Sequence, residues 1–240
     1  MPVGGSAVQK AVEKVIEKAK KVAAHMMEAA AADVEFKDGT FQIAGTDRKV
    51  AIQEVVRTAF DPDALGGHVE PGLSEVAHFA PAGATFPNGC HVCELEIDGD
   101  TGDVEIVRYT VVDDFGRVVN PMMLAGQVHG GIAQGVGQAL YEATVYDQGS
   151  GQLVSGSLMD YALPRADNLP MVQFAWNVVP CRNNPLGVKG SGEAGAIGAP
   201  PAVINAIVNA LRHLGVTHVD MPATPQRLWS ILQTAKKQAA

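Results

Sequence analysis

The segment Gly187-Val-Lys-Gly-Ser-Gly-Glu-Ala-Gly-Ala-Ile-Gly-Ala-Pro-Pro201 places one carboxylate, that of Glu193, in a stretch composed mainly of glycine, alanine and proline. So few large side chains cannot form a core, whereas glycine allows unusual backbone angles and lets a ligand approach the backbone closely. Because proline suits a first helical turn, the sequence predicts a helix from Ala202 to Leu211. The segment therefore presents a single acid beside bare backbone.

Three interpretations of this loop compete. The run from Gly190 to Gly195 fits the dinucleotide fingerprint G-x-G-x-x-G, which requires a strand leading directly into it and an acid about 20 positions later. The nearest strand-like run, Met171 to Val179, is separated from the loop by a proline-containing stretch, and a carboxylate would repel a pyrophosphate. In the second interpretation Glu193 only caps the following helix. The third, which we favour, is a general base on a loop that lines a cofactor.

A second glycine-rich segment, from Asn120 to Leu140, has the period of a helix that begins at an Asn-Pro pair. Each glycine inside a helix costs about 1 kcal/mol relative to alanine, so the glycines require a reason. Gln127 and Gln134 lie on nearly one face and offer amide donors and acceptors to a heterocycle. Glycines of this density also permit tight packing of two helices, which is the alternative explanation. His129 has no evident partner and is interpreted as structural.

Composition limits the class of protein. Hydrophobic residues make up 47% and charged residues 18% of the 240 residues, and the formal net charge is −8. The negative charge argues against nucleic acid as a partner. The sequence has no run of 18 apolar residues and no signal-peptide pattern at its start, so we expect no membrane span and a cytoplasmic protein.

The cysteines are odd in number, three in all, which suggests free thiols in a reducing compartment. Cys90 and Cys93 have the spacing of half a metal site. They lie, however, in a strand-like run, where residues three apart point to opposite faces, and the sequence offers no second pair. The sequence therefore predicts buried thiols and no metal ligands.

The remaining pattern predicts a single α+β domain over residues 1–240. The predicted helices run from a capping box at Ser6 to about Ala30, from Val50 to Phe60, from Asn120 onward, and from Thr224 to the end. The predicted strands are Gly72 to Ala80, Gly89 to Ile97, Val104 to Asp113 and Met171 to Val179, with a hairpin from Asp33 to Ile43 turned at Asp38-Gly39 and a short helix or strand from Leu158 to Leu163.

The two glycine-rich motifs together resemble a known family. Gly126-Gln-Val-His-Gly-Gly-Ile-Ala-Gln-Gly-Val-Gly137 and Gly187-Val-Lys-Gly-Ser-Gly-Glu-Ala-Gly195 are similar to segments of the molybdenum hydroxylases, the family of xanthine dehydrogenase, aldehyde oxidase and aerobic carbon monoxide dehydrogenase. The closing Pro222-Ala-Thr-Pro-Gln-Arg-Leu-Trp229 adds to the likeness, which covers essentially the whole chain. The resemblance implies the second molybdenum-cofactor-binding domain, the C-terminal half of the large subunit.

The resemblance also implies roles for particular residues. Glu193 matches the catalytic base, and Gln127 matches the glutamine that hydrogen-bonds the pterin. The other implied cofactor-binding residues are Lys189, Gly190, Ser191 and Gly192 on the loop, and Gly4, Gly5 and Ser6 at the first helix. The implied cofactor is a molybdenum pyranopterin, in bacterial members usually the cytosine dinucleotide, and the implied chemistry is proton abstraction by a placed carboxylate.

The family's large subunit is about three times longer than this chain, so either a separate gene supplies the other half or this chain is a fragment. The partners that the resemblance implies are a chain carrying the N-terminal half of the molybdenum subunit, a small subunit with 2Fe-2S clusters and a medium subunit with FAD. The implied activity is oxidation of an electron-poor carbon of an aldehyde or N-heterocycle by water-derived oxygen. A carbon monoxide dehydrogenase-type subunit and a non-catalytic assembly or structural half-subunit are the alternatives.

Overall fold

Two units make up the chain, and the computed structural model describes residues 1–239, with side chains described for residues 1–237. The first unit comprises Met1–Ala82 with Asn184–Leu186, and the second comprises Gly83–Asn183 with Gly187–Ala240. Each unit combines helices with a three-stranded sheet. The α+β class is therefore confirmed, whereas the single domain predicted over residues 1–240 stays a prediction.

The first unit packs helices on an antiparallel sheet of order β1-β2-β3. Its elements are α1 (Pro2–Met26), β1 (Val34–Lys37), β2 (Thr40–Ile43), β3 (Lys49–Ala51), α2 (Ile52–Ala59) and α3 (Pro62–Leu65). The predicted hairpin is confirmed, since Asp38 and Gly39 connect β1 to β2 with φ of 48° and 76°. Two successive residues with positive φ are typical of the tight turn that suits paired strands. The predicted second amphipathic helix corresponds to α2.

The predicted start of α1 at a Ser6 capping box is wrong. The helix begins at Pro2, because proline fits the first turn and lacks only an N–H that would have no helical partner there. Ser6 consequently lies inside the helix, fully buried, and its Oγ has no hydrogen-bond partner in the part of the chain whose side chains are described.

Two further predicted elements are absent from the described residues. The run Gly72 to Ala80 forms no strand. It mostly alternates exposed and partly buried residues, but it is not paired with any strand in the described part of the chain; the Gly72 N–H donates to the Ala59 oxygen at 2.6 Å, and the Val76 carbonyl accepts a hydrogen bond of 2.7 Å from Lys14 Nζ of α1. The strand predicted from alternation is therefore wrong. The run Leu158 to Leu163 forms turns, neither helix nor strand.

The second unit is built on a mixed sheet of order β4-β5-β6. Its elements are β4 (Asn88–Ile97), β5 (Val104–Asp114), α4 (Pro121–Val136), β6 (Gln173–Trp176), α5 (Ala194–Leu211) and α6 (Pro225–Ala239). β4 and β5 pair antiparallel, and β6 runs parallel to β5. These strands and the terminal helix were predicted. The start of α4 is also confirmed, because Asn120 Oδ1 accepts from the Met123 N–H at 3.1 Å.

Helices α4 and α5 touch at their backbones. A Cβ added to Gly131 would lie 2.9 Å from the Ala196 nitrogen, and one added to Gly195 would lie 2.5 Å from the Val128 oxygen. A Cβ on Gly135 would lie 2.8 Å from Cδ of Pro200. Distances below about 3 Å leave no room for a side chain. Tight helix packing, the alternative explanation of the glycines, therefore holds for this part of α4.

The prediction that a helix begins at Ala202 is wrong, because α5 begins at Ala194 and contains Pro200 and Pro201 in its interior. An interior proline removes a helical hydrogen bond and costs about 3 kcal/mol. The ring of Pro200 is buried against the bare backbone of Gly135, so packing on α4 offsets part of that cost. This tertiary contact therefore overrides the local preference of proline for the first turn of a helix.

Helix α5 and the turn after it, Ala194–Leu214, are long and apolar enough to cross a membrane when judged by length and composition, with a mean hydropathy of 1.4. The helix contacts both α4 and β4, and its buried residues include Val203, Ile207 and Leu211. A core helix has the same composition.

Changing Gly131 to alanine is expected to lower the free energy of unfolding by about 1–3 kcal/mol, because the added methyl group overpacks the contact with α5. Gly130→Ala is the matched control, since a Cβ there meets no atom within 4 Å, and it should leave stability unchanged or raise it by up to about 1 kcal/mol. Thermal or denaturant unfolding of the purified protein measures both. Equal effects of the two substitutions would contradict the described packing.

Candidate active site

The glycine-rich loop begins at a backbone pairing with the end of β5. The Lys189 N–H donates to the Phe115 oxygen at 2.9 Å, and the Arg117 N–H donates to the Gly187 oxygen at 2.9 Å. Gly116 lies between them with φ of +62°, and a Cβ there would come within 2.2 Å of the Gly187 oxygen. Only glycine fits this position, because it combines a left-handed backbone with direct backbone contact.

A buried ion pair fixes the same end of the loop. Lys189 Nζ contacts Asp114 Oδ2, with side-chain exposures of 12% and 9%. Asp114 Oδ1 also accepts from the Gly116 N–H at 2.8 Å and the Val179 N–H at 3.1 Å. Burial by itself raises the pKa of Asp114, but the hydrogen bonds from Lys189 and the two N–H groups, together with the lysine charge, outweigh burial and hold the pKa below its usual value.

Gln127 connects α4 to the middle of the loop. Its Nε2 donates to the Gly192 oxygen at 2.9 Å, and the side chain belongs to an exposed residue. An amide has a second N–H and a carbonyl oxygen besides the donor used here. Gln127 therefore orients the loop while keeping polar groups for a ligand.

Four glycines beside this contact are open. A Cβ added to Gly126 or Gly130 of α4, or to Gly190 or Gly192 of the loop, would meet no atom within 4 Å. Unlike the glycines at the crossing with α5, these positions are not explained by packing within the described residues. Bare backbone on both sides of Gln127 forms a surface on which a flat ligand can lie.

Glu193 ends the loop at the N-cap position of α5. Its backbone oxygen accepts from the Ile197 N–H at 2.9 Å, but its side chain makes no capping hydrogen bond. The capping interpretation is therefore wrong. Glu193 is exposed, and its carboxylate makes no hydrogen bond or ion pair with the side chains described, those of residues 1–237. The carboxylate is therefore available to a ligand.

The other predicted site residues have different surroundings. The Lys189 ammonium is occupied by Asp114, whereas Ser191 is partly exposed on the loop. Gly4, Gly5 and Ser6 belong to the first unit and lie in the first turns of α1. A Cβ on Gly4 would meet nothing within 4 Å. The cofactor roles of all these residues, and of Gln127, Gly190 and Gly192, stay predictions.

Sequence reasoning missed Asp114. The feature that could have identified it is the pair of consecutive acids, Asp113 and Asp114, at the end of an apolar strand. The prediction that both cysteines of the Cys90-Cys93 pair are buried is wrong for Cys90, which is exposed. Cys93 is partly buried on the opposite face of β4, and burial, together with the nearby charge of Glu94, raises its pKa to about 11.

Comparison with known proteins agrees with this geometry. Residues 1–170 match the family described as "Molybdopterin cofactor-binding domain". The chain is 36% identical over 233 residues to the carbon monoxide dehydrogenase large chain of Hydrogenophaga pseudoflava, covering 97% of this chain and 29% of that protein. It is 37% identical over 237 residues to the 6-hydroxypseudooxynicotine dehydrogenase complex subunit gamma of Paenarthrobacter nicotinovorans, covering 98% of this chain and 30% of that protein.

A solved structure extends the likeness to three dimensions. The reconstituted CO dehydrogenase from Oligotropha carboxidovorans superposes with a TM-score of 0.90 at 32% identity, covering 98% of this chain and 29% of that chain. The chain thus spans about three tenths of the length of the relatives it matches. The bare glycine surface and the free amide valences of Gln127 fit a flat heterocyclic cofactor such as a pterin.

Replacing Asp114 by asparagine is expected to lower the free energy of unfolding by about 3–5 kcal/mol near neutral pH, because Lys189 would be left as a buried charge without its partner. The wild-type pair also gives a pH signature. Since the folded pKa of Asp114 lies below its unfolded value near 3.8, its stabilisation is complete above that value and is lost as pH falls through the folded pKa.

Unfolding measured from about pH 5 to about pH 3 should therefore show a steeper loss of stability in the wild type than in the Asp114→Asn protein. Asp100→Asn, which changes an almost fully exposed carboxylate, is the control and should follow the wild-type profile. Parallel acid profiles of the wild type and Asp114→Asn would refute the role given to this ion pair.

Proposed function

This chain belongs to the molybdopterin cofactor-binding domain family, and on that premise we propose that it is the cofactor-binding, base-bearing part of a molybdenum hydroxylase large subunit. The proposed enzyme oxidises an electron-poor carbon, that of an aldehyde or N-heterocycle, with oxygen derived from water. The chain acts with the remainder of that subunit and with partner chains.

One observation carries the proposal, the hydrogen bond of 2.9 Å from Gln127 Nε2 to the Gly192 oxygen. This bond joins the open face of α4 to the loop that ends at Glu193. It brings the Gln127 amide to the bare backbone of the loop, and the exposed Glu193 follows that backbone directly in the chain. A hydroxylase needs these three features, because the cofactor must be oriented and a base must stand beside it.

Each residue of this surface has a defined task. Gln127 would hold the pterin through its free amide valences, and the backbone at Gly190 and Gly192 would lie against it. Glu193 would accept the proton that must leave the attacking oxygen. When bound, the molybdenum cofactor supplies the two-electron redox chemistry and the polarisation that hydroxylation requires.

The proposal includes finer assignments. The cofactor would be the cytosine dinucleotide form of the molybdenum pyranopterin, and the 2Fe-2S clusters and FAD would be held by partner chains. Support for partners comes from the names of two similar relatives, a carbon monoxide dehydrogenase "large chain" and a "complex subunit gamma". The complex would act in the cytoplasm, where the three free cysteines are stable as thiols.

Carbon monoxide is the second candidate substrate. The observation that favours it is the likeness to carbon monoxide dehydrogenase large chains along nearly the whole of this chain. The other similar relative is named for 6-hydroxypseudooxynicotine, so similarity alone does not choose the substrate. Dye reduction by the native complex with carbon monoxide, aldehydes and N-heterocycles in turn decides between the two candidates.

Replacing Glu193 by glutamine is expected to lower kcat per bound molybdenum by about 10²–10⁴-fold, because the substitution removes the proton acceptor and keeps the size of the side chain. Assembly, molybdenum content and melting temperature should remain near wild type, since the Glu193 side chain makes no capping hydrogen bond. Steady-state kinetics of the complete complex, normalised to molybdenum, measures the effect.

Glu96→Gln is the matched control, because Glu96 is an exposed glutamate of β4 in the same unit, and it should leave kcat unchanged. A Glu193→Gln complex that holds molybdenum and turns over at the wild-type rate would contradict the proposed function.

A further inference from the structure

Three polar side chains cluster on the face of the sheet that packs against α5. His91 of β4 lies opposite Val111 of β5, and Tyr109 and Asp113 flank Val111 two residues away on either side. Alternation along a strand places these β5 residues on one face, within reach of His91. Tyr109 is fully buried, Asp113 is 3% exposed and the His91 side chain is 8% exposed.

His91 connects the other two. Its Nδ1 lies 2.9 Å from the Tyr109 hydroxyl, and its Nε2 lies 3.5 Å from Asp113 Oδ1. Burial, with smaller contributions from the charges of Cys93 and Asp113, raises the pKa of Tyr109, so the phenol keeps its proton. The hydroxyl can therefore donate to Nδ1, and Nε2 lies beside the carboxylate. These two contacts orient the imidazole.

The imidazole packs closely against α5 at Gly198, one turn after the start of the helix. A Cβ added to Gly198 would lie 2.6 Å from both Cδ2 and Nε2 of His91. The ring therefore lies directly against the helix backbone, where no larger residue than glycine fits. Glu193 precedes the same helical turn, so the position of this ring affects where the carboxylate stands.

An open pocket of about 150 Å³ lies beside this contact and is lined by residues of β4, β5 and α5, among them His91, Asp113, Ala194, Ile197 and Gly198. The first turn of α5 borders this pocket on the sheet side, and His91 contacts the helix there. On the other side, Gly195 rests on the α4 backbone.

We propose that His91, oriented by Tyr109 and Asp113, is a positioning residue that sets the first turns of α5 and thereby the place of the Glu193 carboxylate. The Asp114–Lys189 ion pair and the His91 cluster thus hold the two ends of the loop, and both depend on consecutive residues of β5, Asp113 and Asp114. Asp114 fixes Lys189 before the loop, and Asp113 acts through His91 on Gly198 after it.

Stability alone does not account for the cluster. Asp113 is buried, and its Oδ2 has no hydrogen-bond partner among residues 1–237; a buried polar group without a partner is unfavourable. Apolar side chains of similar volume in place of a buried polar pair are often neutral or stabilising. An imidazole held by Tyr109 and Asp113 provides a rigid surface in one orientation against the helix backbone.

The inference rests on the proposed function and is tested in the assembled complex with His91→Ala. Loss of the ring should lower kcat per bound molybdenum by about 10–100-fold, because displacement of a catalytic group by about 1 Å has effects of this size. KM and molybdenum content should change little. Hydrogen exchange should increase at the amides of residues 194–199 and remain unchanged at α6, which reports the displacement without relying on activity.

A double-mutant cycle isolates the contact with Gly198. Gly198→Ala alone should impair kcat, because its methyl group meets the ring, whereas the same change in the His91→Ala background should restore part of the rate by occupying the vacated space. Tyr109→Phe keeps the core volume and removes only the hydroxyl. It should give a smaller decrease in kcat with the same local increase in exchange.

Additive effects in the cycle, or normal kcat and normal exchange in His91→Ala, would overturn the inference. A fall in melting temperature with unchanged kcat per molybdenum in both His91→Ala and Tyr109→Phe would assign the cluster a purely structural role and would overturn it equally. These results are read beside Glu193→Gln: if that variant is impaired while the His91 variants are normal, the proposed function stands and only this inference fails.

Discussion

The backbone contact between α4 and α5 is the constraint on which the candidate site depends. Gly131 and Gly195 let the two helices approach until no Cβ fits between them. One turn before Gly131 stands Gln127, and directly before α5 stands Glu193. The crossing therefore fixes the distance between the residue that orients the loop and the residue that ends it. A looser crossing would separate the amide of Gln127 from the Gly192 carbonyl and release the loop.

The second unit contains several energetically unfavourable features near the α4–α5 crossing and the loop. Glycines weaken α4, Pro200 and Pro201 interrupt the hydrogen bonds of α5, and the buried carboxylate of Asp113 has one oxygen without a partner. All of them lie close to the loop in sequence or in space. Functional sites commonly retain such local strain, because rigid placement of a few groups matters more there than maximal stability.

Much of the fold could be predicted from the sequence because its signals are local. The Asp38-Gly39 hairpin, the Asn120 cap of α4 and the strands β4 and β5 follow from turn chemistry, capping and alternation within short windows. The start of α5 could not be predicted in this way, since the prolines signalled a helix start and the packing of Pro200 on Gly135 of α4 depends on a residue distant in the chain. The run from Gly72 to Ala80 shows the converse, a strand-like pattern without a neighbouring strand.

The candidate site also has features that the sequence predicts and features that it does not. Glu193 and Gln127 could be singled out because glycine-rich surroundings mark them in the sequence. Their mutual placement, the choice between packed and open glycines, and the roles of Asp114 and His91 depend on partners distant in the chain. Lys189 illustrates the difference, because the family resemblance implied a place on the cofactor approach, whereas in the structure its ammonium contacts Asp114.

The most direct measurement of the central claim is a structure of the complete complex with its cofactor bound. The account predicts hydrogen-bond contact between the Gln127 amide and the pterin, bare backbone of Gly190 and Gly192 against the cofactor, and the Glu193 carboxylate facing the reaction centre. A cofactor bound elsewhere, with Gln127 and the loop facing solvent or a partner chain, would contradict the account.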